Sequence, residues 1–226
     1  MTNLIICALA PVLICLFYIY IRDRYEKEPV RLLFVGILFG AVITFPIIQA
    51  ETFVTGLMPI GGLTFDAFYE SFIVAALVEE SFKFAVLFFL TWRNKNLNEC
   101  FDGIVYAVFI SLGFAGFENI LYVLNPELGG FQTAFYRAVF SVPGHAFFGV
   151  TMGYFFTMAR FGRRFVNLAY AFFAAWIIHG LYDFILLSNM SFMFVFVPFI
   201  IMLWINGFIK IKKHLARSPF KYQKEP

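Results

Sequence analysis

The chain has 226 residues, of which 62% are hydrophobic and 14% charged, and a formal net charge of +3. A soluble domain carries about 25% charged residues, so this composition excludes an ordinary globular protein and points to a polytopic membrane protein. The basic residues sit in a few short loops and form no patch, which excludes a nucleic-acid site. Three cysteines (Cys7, Cys15, Cys100) without a C-x-x-C pair exclude a disulfide framework and a cysteine metal site.

Leu4 to Ile21 is free of charge and long enough to span a bilayer. No Lys or Arg precedes it, so it reads as a retained anchor and not as a cleaved signal. A second span runs from Leu32 to Ala50, with Gly36-x-x-x-Gly40 as a close-packing face and Pro46 as a kink. Glu51 to Asp66, rich in Gly, Thr and Pro, reads as a loop. The third span, Phe68 to Thr91, contains Glu79, Glu80 and Lys83. The fourth, Gly103 to Leu124, contains Phe114 and Glu118 and closes on Asn125-Pro126 and Gly129-Gly130. The fifth, Ala134 to Ala159, is interrupted by Pro143-Gly144 just before His145 and carries Gly149-x-x-x-Gly153. The sixth, Phe165 to Leu187, holds His179 and Asp183, and the seventh runs from Met190 to Ile209.

Alternate loops hold four, two, three and six basic residues, leaving only Lys83 and Arg137 of the 17 elsewhere. The positive-inside rule then predicts an all-α bundle of seven membrane helices, with the N-terminus outside and the C-terminus cytoplasmic. Residues 1–209 are expected to form one transmembrane domain and 210–226 a basic cytoplasmic tail.

Within this frame Glu79-Glu80-Ser81-Phe82-Lys83 stands out. Each ionised group at mid-bilayer costs about 2.5–3.5 kcal/mol, so three in five residues persist only against a protein interior or a water-filled cavity. Glu79 and Lys83 lie one turn apart and offset part of that cost. Glu80 points about 100° away, with no partner on its own helix, which favours it as a general base. Counted from the outer helix ends, Glu79 and Glu80 lie ~12 residues deep, His145 ~11, His179 ~9, Glu118 ~6 and Asp183 ~5. Four spans thus deliver acids and imidazoles to one slab about 8–18 Å below the outer surface.

His179 and Asp183 are spaced for a carboxylate to fix an imidazole tautomer. His145 follows Pro-Gly, where a broken helix frees backbone donors toward a cavity. Two histidines with glutamates suit zinc, and His145, His179 and Glu118 are the set this suggests; the same groups also activate water without metal. Phe114 reads equally as packing. Arg137 reads as a snorkelling anchor near the outer edge, able to meet an acidic lipid or substrate residue.

Glu79-Glu80-x-x-Lys83, Phe114-x-x-x-Glu118, His145-x-x-x-Gly149 and His179-x-x-x-Asp183, in that order, resemble the PrsW family of intramembrane proteases, relatives of the CAAX prenyl protease and bacteriocin-immunity superfamily. Tyr25-Glu-Lys-Glu-Pro29, Phe101-Asp-Gly-Ile-Val-Tyr106 and Phe117-Glu-Asn-Ile-Leu-Tyr122 extend the likeness over nearly the whole chain. The resemblance implies a multi-pass protease of the cell membrane acting on a single-span anti-sigma factor near its extracytoplasmic side. That would be the first cut in a cascade that frees a sigma factor under envelope or antimicrobial-peptide stress. It also implies that Glu79 and Glu80 carry the catalytic carboxylate role, completed by Glu118, His145 and His179.

Two other readings stand beside it. A proton-coupled transporter would use intramembrane Glu and His as a relay, although the odd span count and the lack of a visible inverted repeat oppose it. A non-catalytic immunity or scaffold protein would keep the ion pairs without the chemistry.

Overall fold

A computed structural model describes residues 1–188 and 193–221. Among these residues every regular element is helical, and the helices assemble into seven rods. The first is α1 (Thr2–Arg22), and the second is α2 (Val30–Val42) continued by α3 (Thr44–Thr55). The third joins α4 (Leu63–Phe68), a π-helical segment (Tyr69–Ala76) and α5 (Leu77–Thr91). The fourth is α6 (Cys100–Leu124). The fifth joins α7 (Phe131–Tyr136), a π-helical segment (Arg137–Ser141) and α8 (Val142–Gly162). The sixth and seventh are α9 (Val166–Leu187) and α10 (Met193–Leu215). Five rods are long and apolar enough to cross a bilayer on that basis alone; the third and fifth, which carry Glu79, Glu80 and His145, make up the seven.

Several boundaries differ from the sequence reading. The second rod reaches Thr55, so Glu51 is helical and not in a loop. Pro46, which offers no amide hydrogen to the Val42 carbonyl, stands in the first turn of α3 and produces an interruption at Ile43. Pro143 does not break the fifth rod. Its missing N–H frees the Val139 carbonyl, and the turns just before it widen into the π-helical segment. Met190 lies outside the described residues, as does the end of the basic tail, and α10 continues to Leu215.

Helix α6 is the axis: 89% of its apolar window is buried, against 22% for α1. Glycines set its distance from its neighbours. A Cβ at Gly40 would collide with the Ile110 carbonyl, and one at Gly153 with the Gly103 carbonyl, so α2 and α8 approach α6 backbone to backbone. Both expected close-packing faces therefore lie against this helix, and α9 packs on α8 from the far side. On the loop preceding α2, Tyr106 of α6 donates a hydrogen bond to the buried Glu28 carboxylate.

Candidate active site

The residues singled out in the third, fourth, fifth and sixth rods converge. Glu79 and Glu80 occupy the first turn of α5, straight after the π-helical segment, and Lys83 follows a turn later. Its Nζ donates to Glu79 Oε2 at 2.7 Å and to Glu80 Oε1 at 3.0 Å, and all three side chains are buried. Glu80 is therefore not without a partner, contrary to the sequence reading. The long lysine stem lets one ammonium reach both the i−3 and i−4 positions.

Glu80 is held a second time by His179, whose Nδ1 lies 2.9 Å from Glu80 Oε1. The other ring nitrogen, Nε2, is 3.2 Å from Asp183 Oδ2, so the one-turn pairing read from sequence is present. His145 enters from α8 and is clamped by opposite charges. An ammonium only donates, so Nδ1 accepts from Lys83 Nζ at 3.3 Å, and Nε2–H is left to donate to Glu118 Oε2 at 3.2 Å. Ser111 fixes the backbone beneath it, donating to the His145 carbonyl at 2.7 Å.

Arg137 is no lipid-facing anchor. It pairs with Glu118 at 2.5 Å, donates through Nε to Asn119 Oδ1 at 2.6 Å, and lies over the Tyr122 ring at 4.2 Å. It stands at the start of a π-helical segment and reaches inward, which the sequence does not reveal. Phe114 does more than pack: its ring lies 4.1 Å from Lys83 Nζ and 5.6 Å from the His145 ring, giving the ammonium an aromatic face where a carboxylate is lacking. Phe148, unmarked in the sequence, stacks on His179 at 4.6 Å.

A cavity of 870 Å³ opens onto this cluster, lined by Glu79, Glu118, His145, His179 and Asp183 among others. Glu80 and Lys83 lie behind that lining, fully buried. Of the two adjacent carboxylates the one facing the cavity is thus Glu79, which removes the sequence argument for Glu80 as the base.

The donors also suit a metal. One ligand atom each from Glu79, Glu80, His145 and His179 lie within 4.8 Å of one another, and carboxylate oxygens with imidazole nitrogens are the chemistry zinc accepts. Glu118 stays outside this group, committed to Arg137 and touching it through His145, so the gathered set differs from the expected His145, His179 and Glu118. Lys83 Nζ contacts three of the four donors, so a metal would compete with the ammonium for the same lone pairs.

Residues 28–205 match the PrsW family intramembrane metalloproteases. The chain is similar to proteins named Protease PrsW from Oceanobacillus iheyensis (36% identical over 94% of this chain and 96% of the relative) and Bacillus subtilis (36%, 96% and 97%). A third, from Clostridioides difficile, is 34% identical over 96% of this chain and 93% of the relative. No solved structure matches. These relatives bear out the resemblance carried by the four motifs and set aside the transporter reading. With seven rods and an acid and imidazole cluster at the floor of a cavity between them, this multi-pass membrane chain is a protease and belongs to the PrsW family of intramembrane metalloproteases.

Proposed function

We propose that this protease cuts a single-span anti-sigma factor in the outer half of the cell membrane. That cut is the first in a cascade releasing a sigma factor under envelope or antimicrobial-peptide stress. The observation that carries the reading is Glu79 facing an 870 Å³ cavity with His145 and His179 on the same lining. Tyr122, Tyr136 and Leu187 line that cavity at helix ends flanking loops without Lys or Arg, whereas the Arg- and Lys-bearing loops join the opposite ends. By the positive-inside rule the cavity then opens outward, the N-terminus is outside and the basic tail is cytoplasmic.

In the mechanism that follows, the scissile carbonyl enters the cavity beside Glu79. A water attacks the carbonyl carbon and gives its proton to the Glu79 carboxylate. That proton passes to the amide nitrogen as the C–N bond breaks, leaving a carboxylic acid and an amine. Glu80 and Asp183 hold both nitrogens of His179, and Glu118 and Lys83 hold those of His145, so neither ring reorients during turnover. Lys83, behind the cavity wall, bridges Glu79 and Glu80 and holds the two adjacent carboxylates together. Zinc held by Glu80, His145 and His179 would supply Lewis acidity and a more acidic water, with Glu79 left as the base.

The test is cleavage of a co-reconstituted single-span anti-sigma factor by wild type, Glu79→Gln, Glu80→Gln and His179→Ala, with zinc content measured on the same samples. Cleavage by wild type that Glu79→Gln and His179→Ala abolish supports the reading. Folded wild type that cuts none of several such substrates sinks it.

A further inference from the structure

Asn119 lies outside the cavity lining, fully buried beside Glu118, and takes no part in the proton transfers at Glu79. Its side-chain amide nevertheless meets two exacting partners. Nδ2 donates to the Ala8 carbonyl of α1 at 2.6 Å, and Oδ1 accepts from Arg137 Nε at 2.6 Å. A carbonyl only accepts and a guanidinium only donates, so a single orientation of the amide serves both. Helix α1, mostly turned to the bilayer, thus reaches the site through one backbone carbonyl that fixes which end of Asn119 meets Arg137.

Occupying Nε changes what Arg137 can offer Glu118. An arginine free at that edge grips a carboxylate side-on, with two parallel N–H donors from Nε and a terminal nitrogen. With Nε given to Asn119, Arg137 meets Glu118 through Nη2, 2.5 Å from Oε2. The Tyr122 ring, 4.2 Å from the guanidinium carbon, supports the face of the group. Glu118 Oε2 also lies 3.2 Å from His145 Nε2, so the one-point contact leaves that oxygen to be shared with the imidazole. A side-on grip would turn Glu118 toward Arg137 and away from His145.

We infer that Asn119 is a positioning residue for catalysis: held by the backbone of α1, it keeps Arg137 from a side-on grip on Glu118 and so keeps Glu118 on His145. This rests on the cluster around Glu79 being the site of proteolysis.

Two measurements separate this role from packing. The first needs no turnover. The chain has three histidines, so isotopically labelled histidine gives few ring N–H signals in NMR, and the one missing from His145→Gln belongs to His145. Its Nε2–H should exchange with solvent about 10-fold faster in Asn119→Ala than in wild type, at a temperature where melting shows both folded. Asn119→Asp keeps an acceptor for Arg137 but sets a carboxylate oxygen against the Ala8 carbonyl, so its exchange should match that of Asn119→Ala; whichever of the two folds decides.

The second measurement is cleavage of the co-reconstituted single-span substrate. Asn119→Ala should lower kcat about 10-fold with KM within about 2-fold of wild type. Adding Asn119→Ala to Arg137→Gln should lower kcat by less than about 2-fold further, because without the guanidinium Asn119 has nothing to direct, whereas packing alone would multiply the two losses. Wild-type exchange or wild-type kcat in a folded Asn119 variant, or losses that multiply, overturns the inference. If exchange responds as expected but wild type cuts no substrate, the hold of Asn119 on His145 stands and the proteolytic reading falls.

Discussion

Lys83 Nζ lies 3.3 Å from His145 Nδ1, so a cation already stands where the imidazole lone pair of α8 meets the carboxylates of α5. Removing it leaves two adjacent buried acids with no ammonium between them. Lys83→Met should therefore destabilise the protein by about 3–5 kcal/mol, the range for breaking a buried pair on one side. Thermal unfolding in detergent measures this. Zinc should raise the Tm of Lys83→Met by more than that of wild type, because the competitor for the donors is gone. An equal zinc response in both proteins would show that metal and ammonium do not share a site.

Asp183 acts on His179 and makes no other hydrogen bond or ion pair among the described residues. Asp183→Asn should lower kcat about 10–100-fold with KM little changed, as expected when an orienting partner of an imidazole is lost. A change confined to KM would instead place Asp183 in substrate binding.

Glu118 depends on Arg137 as its full countercharge. Arg137→Gln should depress activity and stability together, and Arg137→Lys should restore part of both without the Asn119 contact. Parallel proteolysis and melting assays on the two variants separate this from an anchor at the membrane surface, for which Lys would serve as well as Arg.

Glycine packing gives a graded prediction. A Cβ at Gly153 meets the backbone of Gly103, whereas one at Gly36 meets only side-chain atoms, of Ile110 at 3.5 Å and Phe109 at 3.9 Å. Gly153→Ala should thus cost about 1–3 kcal/mol and Gly36→Ala little, read as the difference in Tm between the two.

The loop preceding α2 supplies a pH dependence. Burial away from water, outweighing the hydrogen bond from Tyr106, pushes the Glu28 carboxyl up to about 7. The folded state then binds a proton that the unfolded chain, titrating near 4.5, does not, so stability present below about 4.5 declines as pH rises through 7. Melting at pH 5 and pH 7.5 should show wild type losing Tm across that interval. Glu28→Gln should flatten the loss by about 2–4 °C.

The seven rods and the motif residues were legible because the bilayer writes span length and charge placement directly into sequence. Lateral arrangement is not written there. Spacing along α5 gave Lys83 to Glu79, but only the depth of the buried stem shows one ammonium holding Glu80 too. Nothing in the spacing of Glu118 reveals its pairing with Arg137 from another rod. The Thr, Gly and Pro that closely follow Glu51 predict a loop there, whereas α3 runs one turn beyond it. The π-helical segments, which precede Glu79 and His145 and one of which begins at Arg137, have no clear signature apart from Pro143.

Helix α6 contacts α1, α2, α5, α8 and α10 and scarcely meets lipid, although its sequence alone is apolar enough to be taken for a bilayer-facing helix. For α1, mostly turned to the acyl chains, any apolar residue of any shape satisfies its surroundings. Along α6 the neighbours are solid: Gly103 and Gly113 already touch opposing backbone. Exchanges such as Ala for Leu, which hydropathy treats as neutral, should be accepted on the outer helices and refused along this one. In α6 the sequence is constrained by side-chain volume, and in α1 by polarity.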